Sequence, residues 1–300
     1  MQKNYSLLTG YIMAAVVVSI WSGFIVVSRY GATHALNGYD LIALRYGVAS
    51  LVSIPVWWFL SSRVNFLNIR YLMLAIFGGM LYAICAFTGF SLAPANHAAV
   101  LLPGFMPVAI SLCIWLIIGT PIKGKALLAL GIISLGIILL GTKTLTVSPE
   151  TLTGDILFIC AALSWGVFNA LLKKWHPDPY ATVVAVSLFT TLVYLPIFIL
   201  FLPSNLGQAP ASEVWLQAGY QGVLAAVVQL LLYVKAAKTI GANNMAVTMA
   251  FVPVLAALIA VPVLGEQITL FIAISLLCVT GGAIFGNIHG NKNRHKDEIN

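Results

Sequence analysis

Two fifteen-residue stretches of the sequence resemble each other: residues 105–119 read FMPVAISLCIWLIIG and residues 251–265 read FVPVLAALIAVPVLG. Both begin with Phe-x-Pro-Val, both end on glycine, and neither contains a charged side chain. A bilayer core of about 30 Å requires roughly 20 apolar residues in a helix that rises about 1.5 Å per residue. With the apolar residues that precede them, the two stretches therefore predict two equivalent membrane-spanning helices.

The composition of the whole chain is that of an integral membrane protein. Of its 300 residues 61% are hydrophobic and 8% are charged, and the mean hydropathy is +1.00. A soluble domain carries about 25% charged residues, so this composition excludes a large soluble all-α core. The basic residues behind the net charge of +7 fall singly or in pairs between apolar runs. That pattern is typical of membrane loops and not of a nucleic-acid-binding surface.

Reading the apolar runs between charged residues and turn residues predicts an all-α membrane protein with ten transmembrane helices. The connections between the runs are short, so no extramembrane domain is expected. The predicted spans are 7–28, 39–61, 70–90, 95–119, 125–142, 153–173, 180–202, 213–236, 243–264 and 268–287.

The distribution of Lys and Arg predicts the orientation of these spans. With the N-terminus in the cytoplasm, twelve basic residues fall on the inside, whereas only Arg29 and Lys143 fall outside and Arg45 lies within the second span. This positive-inside bias predicts a multi-pass protein of the inner (plasma) membrane with both termini in the cytoplasm. The inside residues are Lys3, Arg63, Arg70, Lys123, Lys125, Lys173, Lys174, Lys235, Lys238, Lys292, Arg294 and Lys296.

The second half of the chain repeats the first. Gly10, Trp21 and Phe24 match Gly154, Trp165 and Phe168 at an offset of 144, and the Phe-x-Pro-Val stretches match at an offset of 146. The predicted division is a first repeat over 1–142, a linker over 143–152, a second repeat over 153–287 and a charged cytoplasmic tail over 288–300.

Each predicted repeat contains five spans. Because five is odd, the second repeat enters the membrane from the opposite side. Inverted repeats of this kind are characteristic of secondary transporters, whose substrate site lies near the midplane between the repeats. The sequence therefore predicts two inverted five-helix repeats around a central cavity that works by alternating access.

Several short motifs make the chain similar to the EamA branch of the drug/metabolite transporter superfamily. The similarity covers essentially the whole chain, and it rests on the order, spacing and repetition of motifs that are individually weak. The motifs are Trp21–Gly23, Leu44-Arg45, Ala98-Ala99, Phe105-Met106-Pro107, Ser164–Gly166, Phe251-Val252-Pro253 and Leu264-Gly265-Glu266.

This resemblance implies a basket of ten helices around a central cavity, and export or exchange of amino acids and related metabolites. The chain departs from the family pattern at one position. The second repeat has Gly265-Glu266 where the first has Gly119-Thr120, so the first repeat lacks that carboxylate.

The strongest candidates for the substrate cavity are Trp21 and Trp165. They lie about two-thirds along their spans, beside small residues and away from the interfacial belt that most membrane tryptophans occupy. Pro107 and Pro253 are candidates for kinks, because each removes a hydrogen bond from the middle of its span. A gate and a static bend are the two readings of these kinks.

The remaining candidates are polar or ionisable residues in or near the spans, since such groups are costly in a membrane. Arg45 has a charge role as one reading and snorkelling to the interface as the other. Glu266 has a charge role as one reading and a surface or helix-end role as the other. His97, near the outer surface, is a candidate cavity residue that gates or binds, with a hydrogen-bonded structural residue as the alternative. Asp155 is expected to complement the dipole of the sixth span. The uncharged candidates for the cavity wall are Tyr82, Asn169, Gln221, Gln229, Tyr233, Asn244 and Thr248.

The leading functional prediction is a secondary transporter that exports small metabolites such as amino acids. An intramembrane lipid-modifying enzyme and a passive channel are the alternatives. The sequence has no catalytic constellation such as HExxH and no selectivity-loop motif. No metal or cofactor is predicted, and the expected partners are a small-molecule substrate and the lipid bilayer, with the protein a monomer or homodimer. No acid falls at mid-span, which favours facilitated diffusion or exchange over obligatory proton symport.

Overall fold

The computed structural model describes residues 6–60, 65, 68–122, 124–144 and 148–297, and every regular element within these ranges is a helix. Three of the basic residues that predict the orientation of the spans lie outside the described residues: Lys3, Arg63 and Lys123. The helices are α1 (Leu7–Thr33), α2 (Gly38–Leu60), α3 (Ile69–Leu92, with a π-helical turn at Ile76–Met80), α4 (Ala95–Leu101), α5 (Met106–Ile118), α6 (Lys125–Thr144), α7 (Pro149–Trp175), α8 (Pro179–Phe201), α9 (Ala211–Gln217, the π-helical Ala218–Val228, and Gln229–Ile240), α10 (Ala242–Met249), α11 (Val252–Leu264) and α12 (Leu270–Asp297).

In the described part of the chain, eight segments are long and apolar enough to cross a membrane. They comprise α1, α2, α3, α4 with α5, α6, α7, α8, and most of α10 with α11. The apolar part of α12, Leu270–Gly286, is shorter, and α9 is not among the eight. The chain is therefore a multi-pass membrane protein by length and composition, while the count of ten spans remains a prediction.

The fourth and ninth predicted spans are each broken into two helices. Residues 102–105 form a turn between α4 and α5, and residues 250–251 form the corresponding turn between α10 and α11. Pro107 and Pro253 each lie in the first turn of the second helix. The prediction that these prolines kink a continuous helix is therefore wrong. Proline is well accommodated in a first turn, where its missing N–H has no intrahelical partner, so here it begins a new helix.

The broken helices have the same local design in both repeats. Phe105 and Phe251 precede α5 and α11 with nearly the same backbone angles, φ −82° in both and ψ −18° and −10°. Both helices are 13 residues long, and both end on a glycine in the left-handed conformation, Gly119 at φ 78° and Gly265 at φ 68°. A left-handed C-terminal residue satisfies the last carbonyls, and glycine adopts it without a steric penalty.

The sixth span begins earlier than the sequence reading placed it. The side chain of Ser148 accepts a hydrogen bond from the backbone N–H of Glu150, and Pro149 occupies the first turn of α7. Asp155 consequently lies in the second turn of α7 and is buried. The expectation that Asp155 complements the helix dipole at the start of the span is therefore wrong, because that effect is confined to the first turn.

The two repeats interlock by packing the first helix of each against the third and fourth spans of the other. Helix α1 packs against α9 and α11, and its equivalent α7 packs against α3 and α5. The matching glycines lie at these contacts: a Cβ on Gly10 would meet Ile240 at 2.5 Å, and one on Gly154 would meet Ala93 at 2.6 Å. Small residues thus permit close helix approach at equivalent places in both repeats.

Candidate functional site

A cluster of aromatic rings joins the two repeats. The rings of Trp21 on α1 and Trp165 on α7 meet edge to face, with centroids 6.4 Å apart and an interplanar angle of 69°. Tyr82 on α3 lies 5.2 Å from Trp165, and Phe168 lies 4.9 Å from Trp165 on its own helix. The structure thus brings together three of the candidate cavity residues, Trp21, Tyr82 and Trp165.

Serine hydroxyls beside the two tryptophans fix their helices to the opposite repeat. Ser22 donates a hydrogen bond to the carbonyl of Val252 at the start of α11 (3.3 Å). Ser164 donates to the carbonyl of Phe77 in the π-helical turn of α3 (2.7 Å). A π-helical turn frees backbone carbonyls from regular pairing, and such turns are frequent at functional sites. Each tryptophan is therefore positioned by a contact with an irregular part of the other repeat.

Arg45 points into the bundle close to the aromatic cluster. Its guanidinium lies 5.1 Å from the ring centroid of Phe24 and 5.8 Å from that of Tyr46. It also donates a hydrogen bond to Oε1 of Gln221 at 3.1 Å. The guanidinium of Arg45 therefore contacts side chains of its own helix, α1 and α9, and its charge role stays a prediction.

Two buried glutamines of α9 hold the partner of Arg45 in place. Nε2 of Gln221 donates to Oγ of Ser28 (2.9 Å) and to Oε1 of Gln217 (3.3 Å), and Nε2 of Gln217 donates to the carbonyl of Val27 (2.8 Å). Both glutamine side chains are fully buried. The sequence analysis named Gln221 only as one of many polar residues and did not name Gln217; their i, i+4 spacing in an apolar helix was the available signal.

Glu266 lies beyond the end of α11 and caps another helix. Its carboxylate accepts hydrogen bonds from the backbone N–H groups of Ala95 (2.6 Å) and Asn96 (2.8 Å), at the N-terminus of α4. The side chain of Asn96 returns a hydrogen bond to the carbonyl of Gln267 (3.1 Å). A carboxylate at this position satisfies otherwise unpaired N–H groups and complements the helix dipole.

His97 and Asp155 form the one ion pair found among the described residues. Nδ1 of His97 lies 3.1 Å from both carboxylate oxygens of Asp155, and the two side chains are 14% and 7% exposed. This contact joins α4 to α7 beside the Glu266 cap. The sequence analysis missed it because the two residues lie 58 positions apart and Asp155 was assigned to a helix end.

We call the contacts of Glu266 with Ala95 and Asn96, and of His97 with Asp155, the polar lock. The equivalent position to Glu266 in the first repeat is Thr120, which is exposed and has no carboxylate to offer to α10. The lock therefore secures α4, and the described side chains show no such counterpart at α10.

The two equivalent half-helices accordingly lie in different surroundings. Helix α4 packs against α1, α7, α11 and α12, and its residues are buried except for a partly exposed His97. Helix α10 packs against α1, α9 and α12, and Met245 is the one buried side chain among those described on it. Two segments with the same local design thus adopt a tightly packed and a loosely packed arrangement in the same molecule.

The other candidates for the cavity wall are not brought into the aromatic cluster by any described contact. Asn169 donates to the carbonyl of Trp165 on its own helix (2.8 Å), and Asn244 does the same to Ile240 (2.8 Å). Gln229 is buried within α9, whereas Tyr233 is 36% exposed. The hydroxyl of Thr248 likewise donates a hydrogen bond to the carbonyl of Asn244 on its own helix.

A groove of about 460 Å³ opens between α1 and α9. Its lining is mostly apolar and includes Ile12, Val16, Ile20, Tyr220 and Leu224. Such a lining suits lipid tails and not a polar solute. The central cavity expected from the sequence remains a prediction. Within the described ranges, no three His, Cys, Asp or Glu side chains come together as metal ligands.

Comparisons with known proteins agree on one family and one fold. The EamA-like transporter family matches residues 8–142 and again residues 152–288. A solved structure, titled only as the crystal structure of a protein, superposes with a TM-score of 0.62 over 93% of this chain and 97% of its own, at 19% sequence identity. That likeness concerns the fold alone. A search of curated proteins returned no match.

Proposed function

The chain belongs to the EamA-like transporter family, and on this premise we propose that it is a secondary transporter that exports small metabolites, amino acids or related solutes, by alternating access. Family membership favours transport over the intramembrane enzyme and the passive channel that the sequence left open. The observation that carries the proposal is the unequal packing of α4 and α10, two half-helices of the same design.

Alternating access requires two conformations of similar free energy, and inverted repeats supply them by exchanging roles. The contacts along α1 support the inversion of these repeats. Arg29, near the end of α1, donates to the carbonyl of Phe90 just before α4, whereas Gly10, near its start, contacts Ile240 just before α10. Equivalent half-helices therefore begin at opposite ends of α1, as expected for ten spans in two inverted sets of five.

In this proposal the present conformation is closed at the α4 end by the polar lock. Opening that end requires the Glu266 cap and the His97–Asp155 pair to separate, while α10 packs inward at the other end. The breaks before Phe105–Pro107 and Phe251–Pro253 are the hinges, because a turn absorbs changes in φ and ψ at lower cost than a continuous helix does. In this proposal Trp21 and Trp165 lie between the α4 end and the α10 end of the protein and line the path of the substrate.

We place the protein in the inner membrane with both termini in the cytoplasm, so the polar lock faces outward. The described basic residues support this orientation. Arg70, which packs over Trp175 at 5.9 Å from guanidinium to ring centroid, lies at the end opposite α4, as do Lys173 and Lys174 in the last turn of α7. Among the described residues, Arg29 is the basic residue that contacts the chain just before α4. We further propose that a monomer or homodimer suffices for transport, driven by the substrate gradient.

An untargeted comparison of metabolites in cells that overproduce or lack the protein tests the proposal, followed by flux measurements with purified protein in liposomes. We expect one or more small metabolites to accumulate inside cells that lack the protein and to cross liposome membranes only when it is present. A protein that moves no such solute in either experiment would refute the proposal.

A further inference from the structure

Arg45 is a fixed positive charge whose surroundings are almost entirely neutral. It lies about two turns into α2, and its guanidinium faces Phe24, Tyr46 and Gln221. In the part of the chain that the structure describes, no Asp or Glu oxygen lies within ion-pair distance of it. A guanidinium has five N–H donors and remains charged in proteins. A charge in a membrane interior is costly unless a partner neutralises it, so the missing partner has to come from elsewhere.

Neighbouring side chains hold Arg45 in a defined position. Gln221 receives one of its N–H groups, and Gln221 is itself held by Ser28 and Gln217. The network holds Gln221, which in turn holds Arg45, and the hydroxyl of Tyr46 is a second hydrogen-bonding neighbour of the guanidinium. With five N–H donors, the guanidinium can still bind a further acceptor. A planar guanidinium held in this way suits two-point recognition of a carboxylate.

The aromatic cluster lies beside Arg45 along α1. Phe24, whose ring faces the guanidinium, is one helical turn from Trp21. The ring of Trp21 meets that of Trp165, which in turn contacts Tyr82. A small molecule that placed an anionic group on Arg45 would therefore lay its remaining atoms along aromatic faces. Such faces favour apolar and ring-shaped groups over strongly polar ones.

We propose that Arg45 binds the carboxylate of the transported solute, and that the substrates are small molecules with a single carboxylate and an apolar or aromatic part. This inference rests on the proposed transport function and names the substrate class for the same site. One guanidinium matches one negative charge. Polyphosphates, which require several converging cations, do not fit the single Arg45 of this cluster.

Binding to purified protein in lipid nanodiscs tests the inference without relying on transport. The probes are L-phenylalanine and phenylacetate, which carry a carboxylate, L-phenylalaninamide, which lacks one, and phenyl phosphate. We expect the wild-type protein to bind at least one of the two carboxylates about tenfold or more tightly than the amide and the phosphate. Binding of neither carboxylate, or equal binding of the amide, would overturn the inference, as would a preference for phenyl phosphate.

Variants then assign the carboxylate preference to Arg45. Arg45→Gln should abolish it, and Arg45→Lys should retain part of it, because lysine keeps the charge and loses the planar geometry. The matched control is Arg70→Gln, which removes an arginine packed on an aromatic ring outside the site and should leave binding unchanged. Carboxylate binding to Arg45→Gln as tight as to wild type would overturn the inference.

Gln221→Glu provides a second test that does not depend on the stability of the Arg45 variants. It places a carboxylate of the same shape beside Arg45, so the protein itself supplies the missing partner. We expect carboxylate binding to fall about tenfold or more while the variant remains folded; unchanged binding would contradict the role of Arg45. Flux in liposomes is measured separately. If binding depends on Arg45 but no flux is observed, the carboxylate site stands and the proposed transport function is refuted.

Discussion

Trp21 and Trp165 occupy matching positions in two halves of one chain, and their rings contact each other edge to face at 6.4 Å between centroids. Residues related by a twofold repeat can meet only where the repeats themselves meet. The pair therefore marks the interface between the two halves of the molecule. In the transport cycle that we propose, this interface is the region through which the substrate passes.

Replacing either tryptophan with alanine should reduce transport by several-fold or more while membrane abundance stays near normal. An edge-to-face aromatic pair contributes about 0.5–1.5 kcal/mol beyond the burial of its surface. A loss of this free energy corresponds to a several-fold reduction in transport. Flux in liposomes normalised to folded protein measures the effect, and Trp→Phe at each position is the matched control. Loss of folded protein with normal activity per molecule would assign both residues a structural role instead.

Glu266→Gln should weaken the polar lock and favour opening at the α4 end. The neutral side chain keeps its shape but loses charge-assisted hydrogen bonds to the N–H groups of Ala95 and Asn96, which contribute about 1.5–3 kcal/mol. A single cysteine in place of the buried Ala99, in a background without native cysteines, reports the opening. We expect it to react with a membrane-impermeant thiol reagent at least several-fold faster.

The control for that experiment is Glu150→Gln, which removes an exposed carboxylate in the first turn of α7 and leaves the lock intact. Equal labelling of Ala99→Cys in the wild-type, Glu266→Gln and Glu150→Gln backgrounds would show that Glu266 does not restrain α4.

The sequence predicted the fold further than it predicted the site. Apolar runs and repeated motifs indicated an all-helical membrane protein with two related halves, because the cost of exposing polar groups to lipid leaves a strong pattern in composition. The sequence marked Trp21 and Trp165 as equivalent positions, but the contact between their rings was not predicted and is seen only in the structure. By contrast, the His97–Asp155 pair and the cap that Glu266 provides for α4 connect residues far apart in the chain, and no local pattern identifies such partners.

The prolines illustrate the same limit at shorter range. Pro107 interrupts hydrogen bonding in the fourth span whether it kinks a helix or begins a new one, so the sequence marks the position of the irregularity. The choice between these outcomes is seen only in the structure, where residues 102–105 form a turn and Pro107 lies in the first turn of the helix that follows.

Transport should not require a proton gradient. No Asp or Glu falls in the middle of a predicted span, and the His97–Asp155 pair belongs to the polar lock at the α4 end. In liposomes without a substrate gradient, an imposed pH gradient should cause no accumulation of substrate. Accumulation that disappears in Asp155→Asn would instead identify the pair as a proton carrier.

Both termini should lie in the cytoplasm. The twelve basic residues on one side of the predicted spans, against two on the other, favour this orientation. A reporter that is active only in the cytoplasm, fused after Asn300, should therefore be active, and one that is active only outside should not. The reverse result would remove the basis for the inverted repeats and for placing the polar lock outside.

The central claim is that the α4 end must open and close during each transport cycle. Cysteines replacing Asn96 and Gln267, which are in contact across the lock, allow that end to be fixed by a short reducible cross-linker in a background without native cysteines. Flux of the substrate identified from the metabolite comparison is then measured in liposomes before cross-linking, after it, and after reduction, with each single-cysteine variant as control. The account predicts that cross-linking lowers flux about tenfold or more and that reduction restores it. Undiminished flux through fully cross-linked protein would contradict alternating access.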